Sequence, residues 1–105
     1  MGNILIIDTS SNKKVKIGIE TGGKRNIVVS DSKKLKSQTC LLLIEKVLKD
    51  NNLSPKDLSK IEVNKGPGSF TGLRVGIAIA NTLSYLLKIP VNERKVGEME
   101  EPVYN

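Results

Sequence analysis

Histidine and tryptophan are absent from the sequence, and cysteine occurs once, as Cys40. A zinc site of the Cys/His kind therefore lacks its ligands, and no disulfide can close within one chain. Cys40 lies in an apolar run, the usual setting of a buried structural thiol. Without histidine, Ser69 and Thr71 also lack the base partner of a Ser-His nucleophile pair. Aromatics are scarce, at one Phe and two Tyr, so no row of rings is available on which unpaired bases could stack. Near the amino terminus only Ile4 to Ile7 form an apolar run before Asp8, far short of the ~20 residues of a membrane span. A cytoplasmic protein with no membrane contact is expected. The myristoylation pattern at Gly2 fails because the sixth residue is Ile6 rather than Ser or Thr.

What is present suits one globular domain. Charged residues at 27% and apolar residues at 38% exclude a disordered or membrane chain, and 105 residues are enough for a real core. The net charge of +6 is uneven. Residues 1–39 hold eight Lys and Arg against three Asp and Glu, whereas residues 97–105 hold three Glu and no cation. The basic third favours either RNA or an acidic protein partner, and equally fits a solvated lysine-rich surface.

Ile4 to Ile7 read as a central strand ending in the turn cluster Asp8-Thr9-Ser10-Ser11-Asn12. Val15, Ile17 and Ile19 alternate with polar residues as a half-exposed strand over 15–20. After Thr21-Gly22-Gly23-Lys24, Ile27-Val28-Val29 complete an antiparallel meander. Cys40, Leu43, Ile44, Val47 and Leu48 recur at helical spacing, which predicts a first helix over roughly 38–51. Leu53 to Leu58 form a short helical turn with Ser54 as N-cap and Pro55 first in the helix. Ile61-Glu62-Val63 is a fourth strand, a second helix runs from about Thr71 to Lys88, and Ile89-Pro90-Val91 begin a fifth strand expected beside the first. The order βββαβαβ results.

The most specific segment is Gly66-Pro67-Gly68-Ser69-Phe70-Thr71-Gly72-Leu73-Arg74, between a strand and a helix. Its glycines permit a sharp turn, its free N–H groups could hold an anion, and Ser69 or Thr71 could cap the helix. It is not a Walker A loop, since no Gly-Lys-Ser/Thr follows at the required spacing. In the second helix Gly72, Gly76, Ala80 and Ser84 stack four residues apart as a small-residue stripe. Leu73, Ile77, Leu83 and Leu87 flank it on one side and Val75, Ile79, Thr82 and Leu86 on the other. So apolar a helix is buried on most sides, against either its own core or a partner.

The string Gly66 to Arg74, together with Asn3-Ile4-Leu5-Ile6-Ile7-Asp8-Thr9-Ser10 and Ile89-Pro90-Val91, resembles the TsaB (YeaZ) family over residues 3 to about 91. The resemblance implies an α/β lobe of the ribonuclease-H-like, actin-like ATPase superfamily, with a mixed five-stranded sheet and two main helices. It further implies a non-catalytic scaffold of tRNA N6-threonylcarbamoyladenosine synthesis. Such a scaffold supports a TsaD-like catalytic subunit, joins a TsaE-like ATPase, forms a homodimer when alone and meets tRNA only indirectly. Where the family carries His before the first helix this chain has Lys36, and Leu42 replaces a helix proline. A lobe over residues 1–96 with an acidic tail over 97–105 and no second lobe is expected.

Leu41 and Ile44 of the first helix, with Gly72, Arg74, Val75, Gly76, Ile79, Ala80, Leu83 and Tyr85 of the second, are the candidate partner-binding residues. No residue is assigned a catalytic role, and neither cofactor nor metal is expected. Two alternatives remain. One is a nucleotide-binding enzyme lobe completed by a second chain, with Asp8, Thr9 and Ser10 facing phosphates, although Asp8 to Ser11 lack the glycine of an Asp-x-Gly-Thr hairpin. The other is an RNA-binding module using Lys13, Lys14, Lys16, Lys24, Arg25, Lys33, Lys34 and Lys36.

Overall fold

The computed structural model describes residues 2–31 and 35–103. Strands β1 (Asn3–Asp8), β2 (Lys14–Thr21) and β3 (Lys24–Asp31) are followed by helix α1 (Lys36–Asp50). A 3-10 turn (Pro55–Asp57), strand β4 (Leu58–Val63) and helix α2 (Phe70–Leu87) complete the order. The sheet runs β3-β2-β1-β4, antiparallel throughout the meander and parallel between β1 and β4.

Strand register sorts the side chains into two faces. Leu5 lies between Ile19 and Ile61, and Ile7 between Ile17 and Val63. All five of Leu5, Ile7, Ile17, Ile19 and Ile61 are fully buried, and they share one core with Cys40, Leu43, Ile44, Val47 and Leu48 of α1 and Leu73, Ile77 and Ala80 of α2. The helical spacing read for α1 is thus its core stripe. On the opposite sheet face, Arg25 donates to Glu20 at 2.7 Å and to Glu62 at 3.0 Å. Its guanidinium therefore ties β3, β2 and β4 together across β1. Ile27 lies over Gly18, where a Cβ would come within 2.8 Å of Ile27 Cγ1.

Among the described residues the sheet has four strands, and the expected fifth does not lie beside the first. β2 occupies one edge of β1 and β4 the other, so Val91 is left to pair with Ile61 of β4 through an isolated parallel bridge. Asn92 extends that edge with its side chain. Its amide accepts from the Val63 N–H at 2.8 Å and donates to the Val63 carbonyl at 3.1 Å, as a strand backbone would. Pairing ends there because Asn92 adopts φ +52.

Helix α2 begins and ends where local chemistry dictates. At the start of α2, Ser69 and not Thr71 is the cap, accepting from the Gly72 N–H at 3.2 Å. At its end Lys88 takes the left-handed conformation, and Ser84 donates to the Ile89 carbonyl at 2.5 Å just before Pro90. Leu58, grouped with the helical turn by its sequence, opens β4 instead.

Candidate functional site

The parallel strands β1 and β4 deliver two loops to the same end of the sheet, where Asp8 to Ser11 meet Asn64 to Ser69. The Ser69 N–H donates to the Ser10 carbonyl at 2.8 Å and the Asn64 N–H to the Ile7 carbonyl at 2.9 Å. Gly68 permits the approach, since a Cβ there would come within 2.7 Å of Ser10 Cβ. Asp8 accepts from the Ser10 hydroxyl at 2.6 Å, the Ser10 N–H at 3.0 Å and Asn64 at 3.3 Å. Burial works to raise the Asp8 carboxyl, but these bonds and the nearby charge of Lys16 outweigh it, so the group sits below the ordinary carboxylate range. Lys36 closes the rim by donating to the Ser11 carbonyl. Its amine is shifted down, by burial first and against the opposing charge of Asp8.

Of the three residues expected to face phosphates, Thr9 is turned the other way. It is fully buried, its hydroxyl donates to the Gly72 carbonyl at 2.5 Å, and it accepts from the Gly76 N–H at 3.1 Å. Gly72 and Gly76 are the two ends of one i to i−4 pair in α2, and Thr9 bridges them. A Cβ on Gly76 would collide with Thr9 Oγ1, and one on Gly72 with the Thr9 carbonyl. This close approach explains the two glycines one turn apart. It also corrects the reading of the small-residue stripe as a partner surface. Gly72, Gly76 and Ala80 face β1 and the core inside the chain, and Ile44, 7% exposed, belongs to the same core.

The other candidates lie on or beside the outward side of the helices. Leu41 is exposed, as are Arg74 and Tyr85, while Val75, Ile79 and Leu83 are half-buried, the last two packed against the core. Arg74 stacks its guanidinium 5.3 Å from the Phe70 ring centre. A cavity of about 480 Å³ is lined by Ser37 of α1 with Phe70, Arg74, Val75, Ala78 and Ile79 of α2. Leu41 lies one turn beyond Ser37 on the same side of α1. On the other flank of α2 a groove of about 1010 Å³ runs between Phe70, Arg74, Ala78, Asn81 and Tyr85 and the segment Gly97 to Pro102.

The sequence reading missed the contribution of Phe70 and Leu86, 55% and 66% exposed, and of the segment that walls this groove. Exposed Leu42 and Leu86 beside Leu41 and Tyr85 were the available signal, since both helices carry more apolar residues than their buried faces use. Among the described residues no three His, Cys, Asp or Glu side chains converge as a metal would require. Cys40 is buried, and burial pushes its thiol up to about 11, the state of an inert packing residue. Of the cations considered for RNA, Arg25 is bound to Glu20 and Glu62 and Lys36 to Ser11, whereas Lys33 and Lys34 lie outside the described residues.

Comparison with known proteins gives the family and the fold. Residues 7–93 match the family model described as TsaD, tRNA N6-adenosine threonylcarbamoyltransferase. The tRNA threonylcarbamoyladenosine biosynthesis protein TsaB of Bacillus subtilis is 38% identical over 92 residues, covering 85% of this chain and 39% of that protein. The Escherichia coli protein of the same name is 30% identical over 88 residues, covering 84% and 38%. The chain thus spans about two fifths of the length of these relatives. Among solved structures, YeaZ from Pseudomonas aeruginosa superposes with a TM-score of 0.81 at 24% identity, over 90% of this chain and 44% of that one. The four-stranded mixed sheet with two helices on one face is therefore the α/β lobe of a ribonuclease-H-like, actin-like protein, and the chain belongs to the TsaB (YeaZ) family.

Proposed function

We propose that the chain acts as a non-catalytic scaffold in the synthesis of tRNA N6-threonylcarbamoyladenosine, holding a TsaD-type catalytic subunit on the outward face of α1 and α2. The observation that carries this reading is the concentration of exposed apolar side chains on that face. Leu41, Leu42, Phe70, Tyr85 and Leu86 are each more than half exposed, and two cavities flank α2, one lined in part by Phe70, Tyr85 and Leu86 and the other in part by Phe70. Exposed apolar surface of this kind marks a protein-binding site. The absence of a catalytic role is supported by the loops at the end of β1 and β4, where Asp8, Thr9 and Ser10 spend their polar groups on one another, on Asn64 and on α2.

In this reading Leu41, Arg74, Val75, Ile79, Leu83 and Tyr85 remain the contact residues, joined by Phe70 and Leu86. A TsaE-type ATPase joins the same assembly, tRNA is met through the catalytic subunit, and without its partner the chain pairs with itself over the same face. Mixing the chain with the TsaD-type subunit of the same organism and resolving the mixture by size-exclusion with light scattering tests the proposal. A joint peak with the mass of both subunits is expected. Two separate peaks at tens of micromolar would contradict it.

A further inference from the structure

Among the described residues outside the loops at the sheet end, one carboxylate is almost completely buried. Glu100 is 2% exposed. It accepts from Asn92 Nδ2 at 2.8 Å, from Arg94 Nε and Nη2 at 3.3 and 3.2 Å and from the Glu101 N–H at 3.0 Å, with Lys65 Nζ 3.8 Å away. Its backbone is held as well. Asn81 of α2 accepts from the Glu100 N–H at 2.8 Å and donates to the Glu100 carbonyl at 3.0 Å. Three residues on, the Val103 N–H donates to the Lys65 carbonyl at 2.6 Å.

Apolar burial does not explain why this segment lies where it does. Val96, Met99 and Val103 are 58%, 68% and 46% exposed, so the hydrophobic contribution to docking residues 97–103 is small. Most of the polar bonds converge on Glu100, from α2 and from the turn after Val91, and the loop before α2 adds the Lys65 charge and the bond to Val103. We infer that residues 97–103 form a strap, that Glu100 is the positioning residue that latches it, and that the latched strap builds one wall of the groove along α2. Opening the latch leaves Arg94 without this acceptor, Asn81 without both of its backbone partners and Asn92 with the Val63 carbonyl alone, so the strap is held as a unit rather than by degrees.

Hydrogen–deuterium exchange on the whole chain, resolved to peptides, tests the latch. Glu100→Gln removes the charge and brings an amide donor among groups that all donate. Asn81→Ala cuts only the two backbone bonds and keeps the carboxylate in place, which covers the case in which the first variant does not fold. In either variant the amides of residues 97–103 should exchange about tenfold faster or more, the loss expected for a bond to a charged or buried group, with β1 and β2 unchanged. Equal protection of the strap in both folded variants and the wild type would overturn the latch. The role of the wall in partner binding rests on the functional reading above. If the TsaD-type subunit binds a loosened-strap variant as tightly as the wild type, the wall plays no part in recognition and that half of the inference falls. If the wild type does not bind at all, the functional reading fails while the exchange result still decides the latch.

Discussion

Thr9 joins the first strand to the second helix through one hydroxyl, bonded at both ends of the Gly72–Gly76 pair. Thr9→Val keeps the shape but sets a methyl group against an N–H and a carbonyl in a fully buried place, a loss of about 1–3 kcal/mol. At about 4–8 °C per kcal/mol for a domain near this size, the fall in Tm is readily measured, and Thr9→Ser should recover most of it. An unchanged Tm for the valine variant would show that the bridge contributes nothing. Gly76→Ala sets two effects against each other. Alanine favours a helix interior by about 1 kcal/mol, but its Cβ meets Thr9 Oγ1, and overpacking costs about 1–3 kcal/mol. Net destabilisation is expected in a thermal melt, and a stabilised variant would contradict it. Glu100 adds a pH dependence. Burial opposes its charge, yet the Asn92, Glu101 and Arg94 bonds and the charge of Lys65 win, so its carboxyl titrates below the ordinary value of 4.5. A carboxyl lowered in the folded state contributes stability that is fully present above its unfolded value and is lost as pH falls through the folded one. Strap protection should therefore persist at neutral pH and decline below about pH 4, a window set by ordinary carboxylates. Loss of protection already at pH 6 would point to another group.

At the scale of elements, the proposed scaffold places the association on α2 with α1 beside it. Val75 lies half-buried beside the cavity shared with Ser37, so Val75→Glu should place an uncompensated charge in the contact and weaken binding of the TsaD-type subunit about tenfold or more. The Tm should hardly move, because the carboxylate can reach water in the free chain. A variant that binds normally would move the contact off this side of α2. The positions of both helices were legible in the sequence because apolar spacing and Pro90 fix them, and so was the inward row of Val15, Ile17 and Ile19 in β2. The direction of the small-residue stripe was not legible. Gly72 and Gly76 are small because Thr9, more than sixty residues earlier, presses on them, and spacing within a helix carries no record of such a neighbour. The fifth strand failed for a related reason, since the order of strands depends on which edge remains open. The strap was hidden too. Asn81, Asn92, Arg94 and Glu100 follow no period, and each is an ordinary polar residue until the fold brings them together.

Taken whole, the molecule is a two-layer lobe with helices on one side of its sheet, about two fifths the length of the TsaB relatives it matches. Its proposed role as a scaffold implies that the chain alone releases no phosphate from ATP above a blank. Turnover abolished by Asp8→Ala would contradict that. Alone at micromolar concentration it should have a dimeric mass by light scattering, because the same apolar face has only itself to cover it. The scaffold claim itself is tested most directly by calorimetric titration of the TsaD-type subunit of the same organism into the wild-type chain and into Val75→Glu. The expected result is saturable binding by the wild type, weakened about tenfold or more in the variant at unchanged Tm. Equal affinity of the two proteins, or no heat of binding with either, would contradict the account.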